Sequence, residues 1–374
     1  MIIPAMDTHK PRPDHEPMTT LRQRLLACYR RQSGGEGLIS FSLCPSLDAE
    51  FHRRYGAEAQ VAEVFSFPSR SCPGPVLAQG AERFTAFLDA DLRTRCTIDA
   101  TWGIGFEQGL PGCFHMHRMH HPLAGEAGAA LIRDWPWPDF ASAPAGEAAA
   151  VVAEIHERGL AAVGSMACTI WETAWYLRSM EDLMMDMLQE PERAALLLDR
   201  VTDEACARAA HFARAGCDII ALGDDIGMQQ GPMMAPELYR EWLKPRLAKV
   251  IAAARTIAPE VIIYYHSCGD VRSFIDDLIE VGVDVLDPLQ PESMAVDEVL
   301  ARWGQAIAFH GGIGTQTTMP FASPDEVRSQ AIEHRRLTRH HGASLFSCPT
   351  HLLEPEVPWD NIEVYVAAIR EETS

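Results

Sequence analysis

The chain has 374 residues, 47% of them hydrophobic and 22% charged, which excludes wholesale disorder and suffices for one large core or two medium ones. Its 32 basic and 52 acidic residues leave a formal charge of −20, and such a surface repels phosphate backbones and anionic lipid, so nucleic-acid and membrane partners are not expected. No stretch approaches the roughly 20 consecutive apolar residues of a membrane span.

The first residues, MIIPAMDTHKPRPDHEPM, show no basic segment followed by an apolar one, so no secretory signal is expected, and residues 1–36 read as a loose arm and a first helix. The ten cysteines have no regular spacing. A reducing cytoplasm is therefore the expected location, where a Cys near a His points to metal or catalysis. From residue 37 to 374 the chain reads as one domain. Leu38–Leu43 is a possible strand, and residues 95–146, rich in Gly, Pro, Trp and His, read as a hairpin or irregular lid across one end of it.

Six short, unbroken apolar runs follow: Ala161–Met166, Asp218–Leu222, Val261–His266, Val283–Asp287, Ala306–His310 and Ser344–Cys348. Strands covered on both faces look this way. Helical candidates lie between them at Pro191–Ala215, Pro236–Ala258, Val271–Val281, Ala295–Trp303 and Pro324–His341, the last opened by Ser323 as N-cap. Alternating strands and helices give parallel βα units, and neither GxGxxG nor GxxxxGK[ST] supports a nucleotide-binding open sheet. The expected fold is a (β/α)8 TIM barrel, with its active site at the C-terminal ends of the strands.

Four motifs can carry chemistry at that end. In Tyr264-Tyr265-His266-Ser267-Cys268-Gly269-Asp270, His266 and Cys268 share a strand face and offer the ligand types zinc prefers. A third ligand would come from Cys348 or from His351 in the loop after the last strand. In Leu222-Gly223-Asp224-Asp225, only one acid can face the site; Asp225 is expected there, with Asp224 capping a turn. Glu172, among Trp171, Trp175 and Tyr176, is either a pocket acid or a helix-start acid. Gly311 and Gly312 allow close backbone approach to a cofactor or a tight turn. The cluster His115, His117, His120 and His121 reads as a surface or lid segment.

The blocks ALGDDIGMQQGPMMAPELYREWLKPRL, YYHSCGDVRSFIDDLIEVGVDVLDPLQPE, FHGGIGTQTTMPFASPDEV and CPTHLLEPEVPWDNI resemble the uroporphyrinogen decarboxylase superfamily from about residue 50 onward. That resemblance also implies a (β/α)8 barrel. The haem-pathway branch carries an Arg-rich block near RQAGR for substrate carboxylates; here Leu38–Pro45 reads LISFSLCP. The other branch consists of zinc methyltransferases with an HxC signature and a distant Cys. His266 and Cys268 match its first part; counted back from Pro358 and Asn361, the distant Cys falls at His351, with Cys348 three residues earlier. Gly314 stands where relatives often have Asp.

The resemblance thus implies zinc and methyl transfer between a corrinoid (methylcobalamin, or one carried on a partner corrinoid protein) and a thiol or tetrahydrofolate. Asp225 and Glu172 would be pocket acids, and Gly311 and Gly312 cofactor contacts. No DxHxxG corrinoid motif is present, so the cofactor would ride on a separate protein. The rivals are a decarboxylase, a zinc-dependent lyase, and a non-catalytic barrel that binds a tetrapyrrole or a corrinoid protein.

Overall fold

All six apolar runs become strands in the computed structural model, which describes residues 20–77, 80–108, 117–144 and 146–371. A seventh strand precedes them. The parallel sheet runs β1 (Ser69–Cys72), β2 (Ala161–Ala167), β3 (Ile219–Gly223), β4 (Ile262–His266), β5 (Val285–Leu289), β6 (Ala308–Ile313) and β7 (Leu345–Pro349), with neighbours in strict chain order. That order is the barrel's, since each helical crossover returns the chain to the next position. The possible strand at Leu38–Leu43 supplies no ladder. It contributes a single parallel bridge, Leu43 to Leu353, and is pinned where the Leu353 N–H donates to Ser42 O (2.8 Å) and Tyr365 Oη to Ser40 O (3.4 Å).

Alternation along each strand divides the core. Outward residues such as Ile220, Leu222, Ile263, Tyr265, Leu286 and Phe309 are buried against the helices, each worth about 1.5–3 kcal/mol of burial. Their neighbours Val163, Ser165, Ala221, Tyr264, His266, Asp287 and His310 line a central cavity of ≈ 700 Å³. The helices Pro191–Ala215 and Pro324–His341 have the bounds expected, each closed by a left-handed glycine, Gly216 (φ 86°) and Gly342 (φ 58°). The single helix expected over Pro236–Ala258 is two, Pro236–Trp242 and Lys244–Arg255, because Pro245 lacks the N–H that would continue the first. The one expected to begin at Val271 starts at Ile275.

Within 95–146, Thr97–Ile98, Gly105–Gln108 and His117–His120 form a small antiparallel sheet. It is followed by the helix Ala129–Asp134. This segment is tied to the helix Trp171–Arg178, which follows β2, through Leu123 N–H to Leu177 O (2.8 Å) and Arg178 to Leu123 O (2.6 Å). The arm before residue 20, Cys113 and His115 lie outside the described residues.

Candidate metal centre

Period two turns Tyr264 and His266 of β4 into the cavity, and the register sets Asp287 of β5 directly beside His266. The buried Asp287 carboxylate bridges two imidazoles: Oδ2 lies 2.5 Å from His266 Nδ1 and Oδ1 lies 2.7 Å from His310 Nδ1. With Nδ1 held, His266 presents Nε2 to Cys268 Sγ at 3.4 Å and to Asp225 Oδ1 at 3.9 Å. Asp225 Oδ1 in turn accepts the Cys268 N–H at 2.8 Å. One donor atom from each of Asp225, His266 and Cys268 therefore lies within 4.8 Å of the other two. The chain turns sharply past Cys268 because Gly269 takes a φ of 86°, where a Cβ would sit 2.7 Å from the backbone of Gly227 and Met228.

Charge explains the arrangement. Burial works against a charged His266, yet Asp287 and then Cys268 hold its pKa well above the imidazole value. His310 is pushed up to about 10, with burial outweighed by Cys348 and Asp287. Asp287 resists its own burial through the same two imidazoles and stays well below the usual carboxylate range.

The two neighbouring acids part ways. Asp224 is buried and accepts the N–H groups of Ile170 (3.0 Å) and Glu172 (2.9 Å), capping the helix Trp171–Arg178 from a neighbouring strand end. Asp225 faces His266 and Cys268. Glu172 meets Asp225 through its N–H (Oε2, 3.3 Å) and accepts from Tyr176 Oη (3.0 Å). Burial and then the Asp225 charge raise the Glu172 pKa. Cys348 is buried, with Sγ 3.3 Å from His310 Nε2, and among the described residues it joins no three-donor group. His351 stands at the cavity wall, its ring 6.4 Å from that of His266.

Gly311 (φ 109°) and Gly312 (φ 92°) lie within β6, and the close approach they permit is to the chain itself. A Cβ on Gly311 would meet Leu289 N and Pro288 at 3.1 Å, and one on Gly312 would meet His334 at 3.0 Å. In the segment 95–146, His120 Nε2 lies 2.8 Å from Glu107 Oε2, and these two with Cys96 form a second three-donor group among the described residues, although Arg95 also reaches Glu107 at 3.3 Å. His121 contacts Tyr176 O at 2.8 Å.

Asp287 and His310 were not among the residues singled out. A signal was present: three successive apolar runs, ending at His266, Asp287 and His310, each close on a titratable side chain. In a parallel barrel, strand ends face one mouth, so these three were placed to meet.

A barrel with titratable side chains gathered at its strand ends defines a class of protein, and comparison supplies the family. Residues 139–372 match the uroporphyrinogen decarboxylase (URO-D) family profile, and the chain belongs to that family. Similar curated proteins include the methylcobamide:CoM methyltransferase MtaA of Methanosarcina barkeri, 24% identical over 192 residues, which are 51% of this chain and 53% of the relative. They also include a uroporphyrinogen decarboxylase of Chlorobium limicola, 22% identical over 191 residues, 50% of this chain and 52% of the relative. The matched region spans about half the length of these relatives. Among solved structures, a methyltransferase from Methanosarcina mazei superposes with a TM-score of 0.65 at 18% identity, covering 96% of this chain and all of that one, which shows the shared fold. Among the described residues, no helix is long and apolar enough to cross a membrane.

Proposed function

We propose that this barrel is a zinc-dependent methyltransferase moving a methyl group between a corrinoid, free or on a partner corrinoid protein, and a thiol or tetrahydrofolate. The observation that carries the reading is the convergence of Asp225, His266 and Cys268 within 4.8 Å at the strand ends. Nitrogen, sulfur and carboxylate oxygen are the donors zinc takes, and three protein ligands leave a position open for substrate. His266 also has the carboxylate partner that metal-bound imidazoles almost always keep, here Asp287. Of the two third ligands left open by the sequence, His351 shares the cavity and Cys348 is engaged with His310; Asp225 is the donor we assign.

Zinc held there would supply a Lewis acid that lowers the pKa of a bound thiol toward neutrality. The protein's own residues do the rest. Asp287 fixes the His266 ring so that Nε2 faces the site. Glu172, with its raised pKa, stands behind Asp225 as a proton carrier. The MtaA relatives support the corrinoid and thiol side of the reading. A polycarboxylate substrate fits less well, because Arg70, the arginine lining the central cavity, is spent on Glu63 (2.8 Å) and on the carbonyls of Ala62, Phe67 and Ser69.

The test is metal analysis of protein purified without added zinc. About one zinc per chain is expected, lost in His266→Ala, Cys268→Ser and Asp225→Asn and kept in His351→Ala. The zinc-bearing protein should then demethylate methylcobalamin in the presence of a thiol or tetrahydrofolate. A folded, metal-free protein that resists zinc loading overturns the reading.

A further inference from the structure

The small antiparallel sheet of segment 95–146 is held by short ladders. Thr97 and Ile98 pair with Phe106 and Gly105, and Gly105–Gln108 pairs with His117–His120. Ladders of that length are marginal without further support.

The register gathers three donors on one face of this sheet. Residues opposite one another share a face, and so do residues two apart along a strand. Ile98, Gly105 and His120 form one row across the three strands. The next row on that face holds Glu107 and Arg118, and continuing the first ladder by one step sets Cys96 across from Glu107. Each strand thus brings one donor: Cys96 just before the first, Glu107 within the second, His120 at the end of the third. One donor atom of each lies within 4.8 Å of the other two.

Gly105 is what lets them meet. A Cβ there would lie 3.3 Å from His120 Cβ, 3.4 Å from Cys96 Cβ and 3.6 Å from Cys96 Sγ. A glycine inside a strand weakens it and marks a close approach, here of a thiol and an imidazole from the two flanking strands. The group is reached from outside, because His120 lines a surface cleft of ≈ 440 Å³ together with Arg95 and Arg118. The next residue, His121, turns away to Tyr176 O (2.8 Å), and Leu123 N–H bonds Leu177 O (2.8 Å). Both anchors lie on the helix Trp171–Arg178, which also carries Glu172.

We infer that Cys96, Glu107 and His120 form a second zinc site, which clasps the three strands and steadies the chain entering the anchors at His121 and Leu123. Thiolate and imidazole select zinc over the hard cations that take oxygen alone, and the cleft leaves the fourth position to water. Arg95 Nη1 lies 3.3 Å from Glu107 Oε2 and has a second acid in Asp91 at 2.9 Å, to which it retires when metal binds. That competition makes this the weaker of the two proposed sites, filled by added metal after the centre at His266. The inference does not rest on methyl transfer.

The test is cobalt(II) titration of the full chain and of His266→Ala, which removes the other site from the count. Both should take one cobalt per chain here, with the near-ultraviolet absorption of a cobalt–thiolate bond. Added to His266→Ala, Cys96→Ser should abolish the band and the bound ion, and His120→Ala the ion. Gly105→Ala, which keeps every donor, should weaken binding. Amide exchange in Gly105–Gln108 and His117–His120 should slow on loading. Unchanged slow exchange in β2 to β7 shows that each variant is folded. A His266→Ala protein that takes no cobalt, or a bound ion that survives both Cys96→Ser and His120→Ala, overturns the site. Loading without slower exchange overturns the clasp. Cobalt bound through Cys96, in a protein that never holds metal at His266, would leave this site standing and sink the methyltransferase reading.

Discussion

Asp218 and Asp287 are carboxylates that each bind two basic side chains from opposite ends of the barrel, and they do opposite things. Asp218, at the N-terminal edge of β3, takes Arg22 through Nη2 (2.6 Å) and Nε (3.1 Å), His156 Nε2 (2.8 Å) and the Ala162 N–H (2.9 Å). Every lone pair is used on a partner from another element, and the result ties the first helix, the helix Ala148–Glu157 and β2 to β3. Asp287, at the C-terminal end, takes two imidazoles instead. Each ring keeps a second nitrogen, and that of His266 faces the donor group. A guanidinium closes a carboxylate off; an imidazole passes its influence on.

The largest expected effect comes from breaking the closed end. Asp218→Ala leaves Arg22 and His156 without their acceptor. Removing one member of a fully buried pair costs about 3–5 kcal/mol, and with Arg22 36% exposed we expect about 2–3 kcal/mol in denaturant unfolding. Zinc content should not change. A variant that loses stability and zinc together would show that the two ends are not independent.

The open end should respond in the reverse sense. Asp287→Asn keeps the shape but removes the charge that orients His266, so zinc affinity should fall roughly 10- to 100-fold in chelator competition. Unfolding at neutral pH should move less than for Asp218→Ala. Unchanged zinc affinity would mean that Asp287 serves the core alone and would detach His310 from the site as well.

This contrast also separates what could be read in the sequence from what could not. The barrel rhythm was legible because β2 to β7 are unbroken apolar runs, and His266 with Cys268 because two ligand types sat at one strand end. β1 was not, since Ser69-Arg70-Ser71-Cys72 has no apolar run: Ser69 and Ser71 line the cavity and need not be hydrophobic. Cys348 lay at a strand end as a ligand should, but its thiol is turned to His310, a pairing across 38 residues that spacing cannot reveal. The division of labour between Asp224 and Asp225 depends on the N-terminus of a helix more than 50 residues away in the chain.

The smallest effect is spread over pH and sharpens the comparison. Burial alone would raise the Asp218 pKa, but Arg22, the Ala162 N–H and His156 bring it below the usual carboxylate value. A folded-state pKa below the unfolded one, about 3.9, means that stability from this group is fully present above that pH. As pH falls further, the unfolded chain binds a proton the native one refuses, and stability drops by at most about 1.4 kcal/mol per pH unit until the folded pKa is reached. Asp218→Asn should therefore start less stable at neutral pH and lose less in acid, its curve converging on that of the parent below pH 3.9. Parallel curves for the two proteins would mean that the cluster at Asp218 holds the barrel by geometry rather than by charge, removing the contrast with Asp287.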